Sequence, residues 1–208
     1  VNPIVACVLR TGGDFRPEHV AMLRDGVAMH LPHARFICLS DVEVQCERIA
    51  LLHNWPGWWS KLEFCRPDIA GDLLTLDLDT RIVGDMRDIA GIGRLALLSD
   101  FYRLSQAQSG IMFLPEIDRR ATWRVWMMNP AQHMQRCGAS GDGMFFREVL
   151  GARAARWQDA LPGQIISYKV HVRAAQILGQ EFGNGSVPEG ARVICFHGKP
   201  RPWEVANV

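Results

Sequence analysis

Apolar residues in this chain come in short runs of strand length, separated by segments whose apolar positions recur at helical spacing. The first run is IVACVL, Ile4–Leu9, closed by the two glycines of TGGD. A continuous apolar run of this length bounded by turn residues predicts a buried strand. Pro17 then opens a predicted helix, since proline at the first helical position forfeits no hydrogen bond. Val20, Leu23 and Val27 share one face of it. RFICLS (35–40) predicts a second buried strand and residues 47–52 a weaker third. Pro56-Gly57 sets a turn, residues 58–65 a helix, and Pro67 sits just past its end. Leu73–Leu76, 95–98 and 110–114 are further predicted strands.

Strands alternating with helices over the first hundred residues predict an α/β, Rossmann-like sandwich, with a mostly parallel sheet flanked by helices. In such sheets ligands gather at the carboxyl ends of the strands. Here those ends carry Arg10-Thr11-Gly12, Ser40-Asp41, Asp77-Leu78-Asp79 and Ser99-Asp100, a polar rim on an apolar floor. The second half is less regular. Residues 121–134 predict one helix, with Trp123 and Trp126 spaced to share a core face. Residues 142–150 predict a short helix, 183–190 a loop, and 192–196 a last strand that runs into HGKPRPW.

Composition narrows the function classes. The 208 residues suit one domain, 1–208, and the net charge of +1 comes without a basic tract. Nucleic acid and anionic membrane are therefore not expected as main partners. No apolar stretch reaches the ~20 residues of a membrane span, and no signal peptide is apparent. The six cysteines are scattered without a CxxC pair. These features predict a cytoplasmic, reducing setting. The basic residues are unevenly split, with twenty arginines against Lys61, Lys169 and Lys199. Arginine does not replace a compact ammonium group, so some of these lysines are expected where one is needed.

The stretch DLLTLDLDTRIVGD drives two aspartates, Asp77 and Asp79, to the tip of an apolar strand. Carboxylates held this close repel unless a cation lies between them, and a hard divalent ion suits oxygen ligands. A helix cap or two solvated loop charges would also account for the pair. His197, at the end of the last predicted strand in CFHGKPRPW, is a candidate third ligand. Gly198 would let a ligand approach the backbone. Lys199 and Arg201 add positive charge of the kind a diphosphate requires.

With these stretches together, the chain resembles metal-dependent nucleotide-sugar glycosyltransferases of the A-type fold, and is similar to glycosyltransferase family eight, the glycogenin and lipopolysaccharide galactosyltransferase group. LRTGGD, WWSKLEF, LLTLDLDTRIV and CFHGKPRPW carry the resemblance, with SGDGMFF as a weaker match. It implies a donor-binding half at about 1–115 and a sugar, acceptor and closing segment at about 116–208. It implies that Asp77, Asp79 and His197 hold Mn2+ or Mg2+ on the diphosphate of a UDP-sugar. Thr11 and Gly12 would lie against the uridine, and Lys61 and Leu78 would reach the donor. Gly198, Lys199 and Arg201 would contact the phosphates. Ser109, Gly110 and Asp142 would lie near the sugar, with Asp142 and Lys199 as catalytic groups. The acceptor would be a glycan, a lipid-linked sugar or a protein, and the anomeric configuration would be retained.

The chain departs from the family pattern in places. Gly143 stands where the family usually has Gln, Arg201 where it has Lys, and the chain is short. Other readings share the paired aspartates. A haloacid-dehalogenase-type phosphatase wants Thr two residues past the second Asp, whereas Thr80 follows Asp79 directly and Arg81 comes next. A nucleotidyltransferase would share the fold and the metal. A non-catalytic domain would bind nucleotide sugar without turning it over.

Overall fold

The computed structural model describes residues 3–177 and 180–205. In chain order its strands are β1 (Ile4–Leu9), β2 (Phe36–Ser40), β3 (Glu47–Ala50), β4 (Leu73–Leu76), β5 (Thr80–Ile82), β6 (Ala96–Ser99), β7 (Ala107–Leu114), β8 (Ala155–Arg156), β9 (Ile165–Ser167), β10 (Ala175–Ile177), β11 (Gln180–Phe182) and β12 (Val193–Cys195). The helices are α1 (Pro17–His30), α2 (Arg87–Ala90), α3 (Glu116–Met128), α4 (Pro130–Cys137), α5 (Gly141–Leu150) and α6 (Trp157–Ala160). A 3-10 segment, Gly57–Cys65, precedes β4.

Seven strands form the main sheet in the order β3-β2-β1-β4-β7-β6-β8. The pairings β1–β2, β2–β3, β1–β4 and β6–β8 are parallel. β7 alone runs against its neighbours β4 and β6. The mostly parallel sheet expected from sequence is thus present, with one antiparallel strand. The cause is local: a tight turn closed by Asp100 N–H donating to Gln106 O at 2.7 Å sends β6 straight back as β7. A separate three-stranded sheet, β5-β12-β9, lies at the exit of β4. There Cys195 pairs with Thr80, and Phe196 N–H donates to Asp79 O at 3.0 Å, so the end of the chain lies beside the paired aspartates.

One face of the main sheet is covered by α1, whose Val20, Leu23 and Val27 are buried as their spacing predicted. The other is covered by the 3-10 segment and α3 to α5, where Trp126 is fully buried among Trp55, Trp59 and Phe145. Complete burial of such a ring is worth a few kcal/mol. Core packing therefore accounts for that tryptophan.

The single helix expected over 121–134 is two. Pro130 lacks an N–H and forces Asn129 out of helical geometry, to φ −165°. The Asn129 carboxamide then caps α4 by accepting from Gln132 N–H at 3.1 Å. The expected helix at 58–65 is 3-10. All six cysteines are free thiols. Among the described residues, no helix is long and apolar enough to cross a membrane.

Candidate functional site

β4 is buried along its whole length and delivers Asp77 at its end, where the Asp77 N–H still donates to Gly110 O across the sheet at 2.9 Å. The chain then reverses, with Thr80 N–H donating to Asp77 O at 3.1 Å, and enters β5. The Asp-Leu-Asp triplet is therefore a turn between two strands. Leu78 is anchored in the core, and Asp77 and Asp79 both face the cleft beyond the sheet edge.

Three carboxylates gather around one ammonium. Lys61 Nζ, from the 3-10 segment, lies 2.6 Å from Asp77 Oδ1 and 3.4 Å from Asp142 Oδ2. Ser109 on β7 donates its hydroxyl to Asp142 Oδ2 at 2.6 Å. Burial works against the charge on Lys61, but Asp142, Asp77 and Asp79 overcome it and hold the amine more firmly protonated than usual. One cation does not suffice for the acids. Burial, offset by Lys61 but reinforced by Asp79 and Asp142, pushes the Asp77 carboxyl up to about 7.

Asp79 is held from the other side. Its Oδ2 accepts from Gly198 N–H at 3.1 Å and from the Arg201 guanidinium. Arg201 also reaches Asp14 at 3.2 Å and lies over the Phe15 ring at 4.7 Å. The approach of the 197–198 backbone depends on glycine: Gly198 has φ +102°, a conformation other residues rarely adopt. At the base of the N-terminal loop, Thr11 donates its N–H and hydroxyl to Asp41 at 3.0 and 2.6 Å. Arg10 lies 3.5 Å from the same carboxylate.

A cleft of about 920 Å³ joins these groups. It is lined by Thr11, Gly12, Lys61, Asp77, Leu78, Asp79, Ser109, Gly110, Asp142, His197, Gly198 and Arg201, all singled out from sequence. Lys199 does not join them. Its side chain is 73% exposed, outside the cleft, with Nζ 3.9 Å from Glu204. Arg201 is the cation that this segment turns inward. His197 lines the cleft, but its Nε2 is 2.6 Å from Ser167 Oγ and its ring stacks on Phe101. Among the described residues, no three His, Cys, Asp or Glu side chains converge in a geometry that would hold a metal ion. The closed triad of Asp77, Asp79 and His197 is not assembled.

Sequence reasoning placed Arg10 on the polar rim without giving it a role, and did not single out Asp14, Trp58 and Gln108, which also line the cleft. Arg10 precedes the TGGD turn, Asp14 is its last residue, and Trp58 lies three residues before Lys61, so proximity to the named motifs was the available signal. Lys169, for which sequence offered no role, donates to His197 O at 3.1 Å and supports the loop behind the site.

The chemistry of the donor set nevertheless suits a divalent cation at the two aspartates. Arg10, Lys61 and Arg201 face Asp14, Asp77, Asp79 and Asp142, so three cations meet four carboxylates. A phosphate ligand entering this cleft meets excess negative charge, which a hard cation on Asp77 and Asp79 would reverse.

The fold has solved counterparts. The chain superposes on the glycosyltransferase GlyE of Streptococcus pneumoniae TIGR4 with a TM-score of 0.62 and 13% identity, covering 76% of this chain and 46% of that one. It superposes on WbbM, a bifunctional glycosyltransferase, with 0.62 and 10% identity, over 97% and 47%. For an active-site mutant of LgtC the values are 0.51 and 11%, over 96% and 89%. The chain has the A-type glycosyltransferase fold. It spans about half the length of GlyE and WbbM. No protein-family model and no curated protein matches the sequence.

Proposed function

We propose that this glycosyltransferase-fold chain moves a sugar from a UDP-sugar to an acceptor, with Mn2+ or Mg2+ at Asp77 and Asp79 and with retention at the anomeric carbon. The observation that carries the reading is the knot of Asp77, Asp142, Lys61 and Ser109 at the end of β4, inside a cleft that Asp79, Gly198 and Arg201 close from the other side. Thr11 and Gly12, with Asp41 fixing the loop, would flank the uridine. Gly198 N–H and the Arg201 guanidinium can turn from Asp79 to the diphosphate oxygens, where the planar fork of Arg201 grips two oxygens at once.

 Asp142 and Ser109 would hold the sugar, and Lys61 would keep Asp77 and Asp142 oriented toward it.

A divalent ion bound there would supply positive charge against the charge that grows on the departing diphosphate. The chain's own part is to bind, orient and screen. Arg201 stabilises the leaving group from the protein side. Asp142, kept beside Lys61, offers negative charge to a sugar ring that becomes positive as its bond breaks.

The test is a panel of UDP-sugars with manganese, scored by UDP release, beside Asp79→Ala, with UDP binding measured with manganese and with EDTA. Release from at least one donor, falling at least a hundredfold in Asp79→Ala, and UDP binding strengthened by manganese are the expected results. No turnover of any donor, with UDP binding indifferent to manganese, would overturn the reading.

A further inference from the structure

Among the described residues, Trp58 is the one tryptophan left more than half exposed, at 52%. It lines the cleft together with Lys61, Ser140 and Asp142. Because it lines the cleft, the half-exposed indole offers its apolar face to whatever ligand the cleft takes.

The ring also has a close packing partner in Gly141. A Cβ added to Gly141 would fall 2.6 Å from the Trp58 Nε1 and 2.9 Å from Cε2, so the first residue of α5 packs directly against the indole. Gly141 has φ +59°, which independently favours glycine there. The next residue is Asp142, bonded to Ser109 and paired with Lys61. One backbone segment therefore sets both the carboxylate and the aromatic face, one residue apart.

We propose that Trp58 is an acceptor platform: its open face stacks on the apolar side of a pyranose and selects a carbohydrate as acceptor. This rests on the glycosyltransferase reading. A pyranose ring presents a face of C–H bonds that carry partial positive charge, and the face of an indole is negative. Stacking leaves the ring hydroxyls free for polar groups at the edge. Gly198 and Arg201 mark the phosphate end of the cleft, and Asp142 the sugar end. Trp58 adjoins the sugar end, where an acceptor hydroxyl must approach. The volume of about 920 Å³ lies near the top of the usual range for ligand pockets, which leaves room for a second ring beside a donor.

The experiment measures binding, so it does not depend on turnover. Methyl β-glucopyranoside, methyl β-galactopyranoside and lactose are titrated by saturation-transfer NMR into the full chain with UDP and manganese, for wild type, Trp58→Ala and Trp58→Phe. At least one probe is expected to bind, with saturation strongest on the C–H protons of one ring face. Trp58→Ala should weaken it at least fivefold and Trp58→Phe about twofold, with unchanged melting temperature and UDP affinity. No binding by any probe, or equal binding by Trp58→Ala, overturns the proposal. Loss of UDP affinity in Trp58→Ala also overturns it, by assigning the ring to the donor. UDP binding by the wild type in the same samples reports on the glycosyltransferase reading separately.

Discussion

Arg119 is the side chain whose removal has the most calculable effect. It lies on α3, fully buried, and among the described residues its partners are backbone carbonyls rather than a carboxylate. Its guanidinium donates to Phe64 O and Ile69 O at 2.8 Å each, to Gly71 O, and more weakly to Arg66 O at 3.5 Å. Burial holds its pKa below the usual arginine value. Those carbonyls belong to the end of the 3-10 segment and the link into β4, the strand that delivers Asp77. In Arg119→Met, three close acceptors lose their donor inside the protein. Each unsatisfied acceptor costs about 1–3 kcal/mol, which sums to roughly 3–9 kcal/mol. Against this stands the relief of no longer burying a charge, several kcal/mol after relaxation. The expected net loss is about 2–4 kcal/mol. For a chain of this length that corresponds to a fall in Tm of roughly 4–16 °C. Arg119→Lys keeps the charge but not the planar fork, and should recover less than half of the loss. Urea and thermal unfolding followed by circular dichroism measure both variants. A methionine variant as stable as wild type would refute the argument, because it would mean that the desolvation cost of the guanidinium equals everything its hydrogen bonds return.

Two further outcomes follow from single positions. Cys7, Cys38, Cys65, Cys137 and Cys195 are buried, and burial raises the Cys46 thiol to about 11 and Cys65 to about 12. Native protein at pH 8 should therefore react slowly with a thiol reagent, with at most Cys46 modified in minutes, and release all six thiols in denaturant; rapid modification of two or more native thiols contradicts this packing. Gly143, inside α5, would place a Cβ at an ordinary 3.6 Å from Ser109 Oγ, so Gly143→Ala should raise stability by about 0.5–1 kcal/mol in urea unfolding. A destabilised variant would show that the helix needs glycine there for a reason other than space.

How much was legible in the sequence depended on whether the signal was local. β1, β4 and the inner face of α1 were readable because every residue of each run shares one environment, so the apolar pattern survives in the letters. The break at Asn129-Pro130 was also written locally, yet the apolar spacing of Trp123 and Trp126 continues up to it and favours one helix. β5, β8 and β9 have two or three residues each and owe their existence to partners far along the chain, such as Thr80 opposite Cys195. No local pattern announces such strands. The site divides the same way. Asp77, Asp79, Lys61 and Asp142 were named from motifs and do meet in the cleft. The choice between Lys199 and Arg201 was not legible, because it depends on which way each side chain leaves the turn around Pro200. Nor was the contact of His197 with Ser167, which β9 supplies from thirty positions away.

The arrangement at the end of β4 makes little sense as a device for stability. Asp77 stands beside two other carboxylates with one lysine among them, and its carboxyl is pushed far above the ordinary carboxylate range. Apolar or amide side chains of similar size would avoid that repulsion. The surrounding structure instead holds the strain in place: β7 fixes Asp77 through Gly110 O, Ser109 fixes Asp142, and Gly198 fixes Asp79. Two of these anchors are neighbours on β7 and the third comes from near the end of the described chain, and all three fix residues whose carboxylates line the same cavity. Local rules broken together, at one point, by otherwise well-packed elements are the expected mark of a site kept for chemistry. The same reasoning ties Arg201 to function: a guanidinium bridging Asp79 and Asp14 adds attraction where negative charge is in excess, yet remains beside an open cleft where an anionic ligand can take it over.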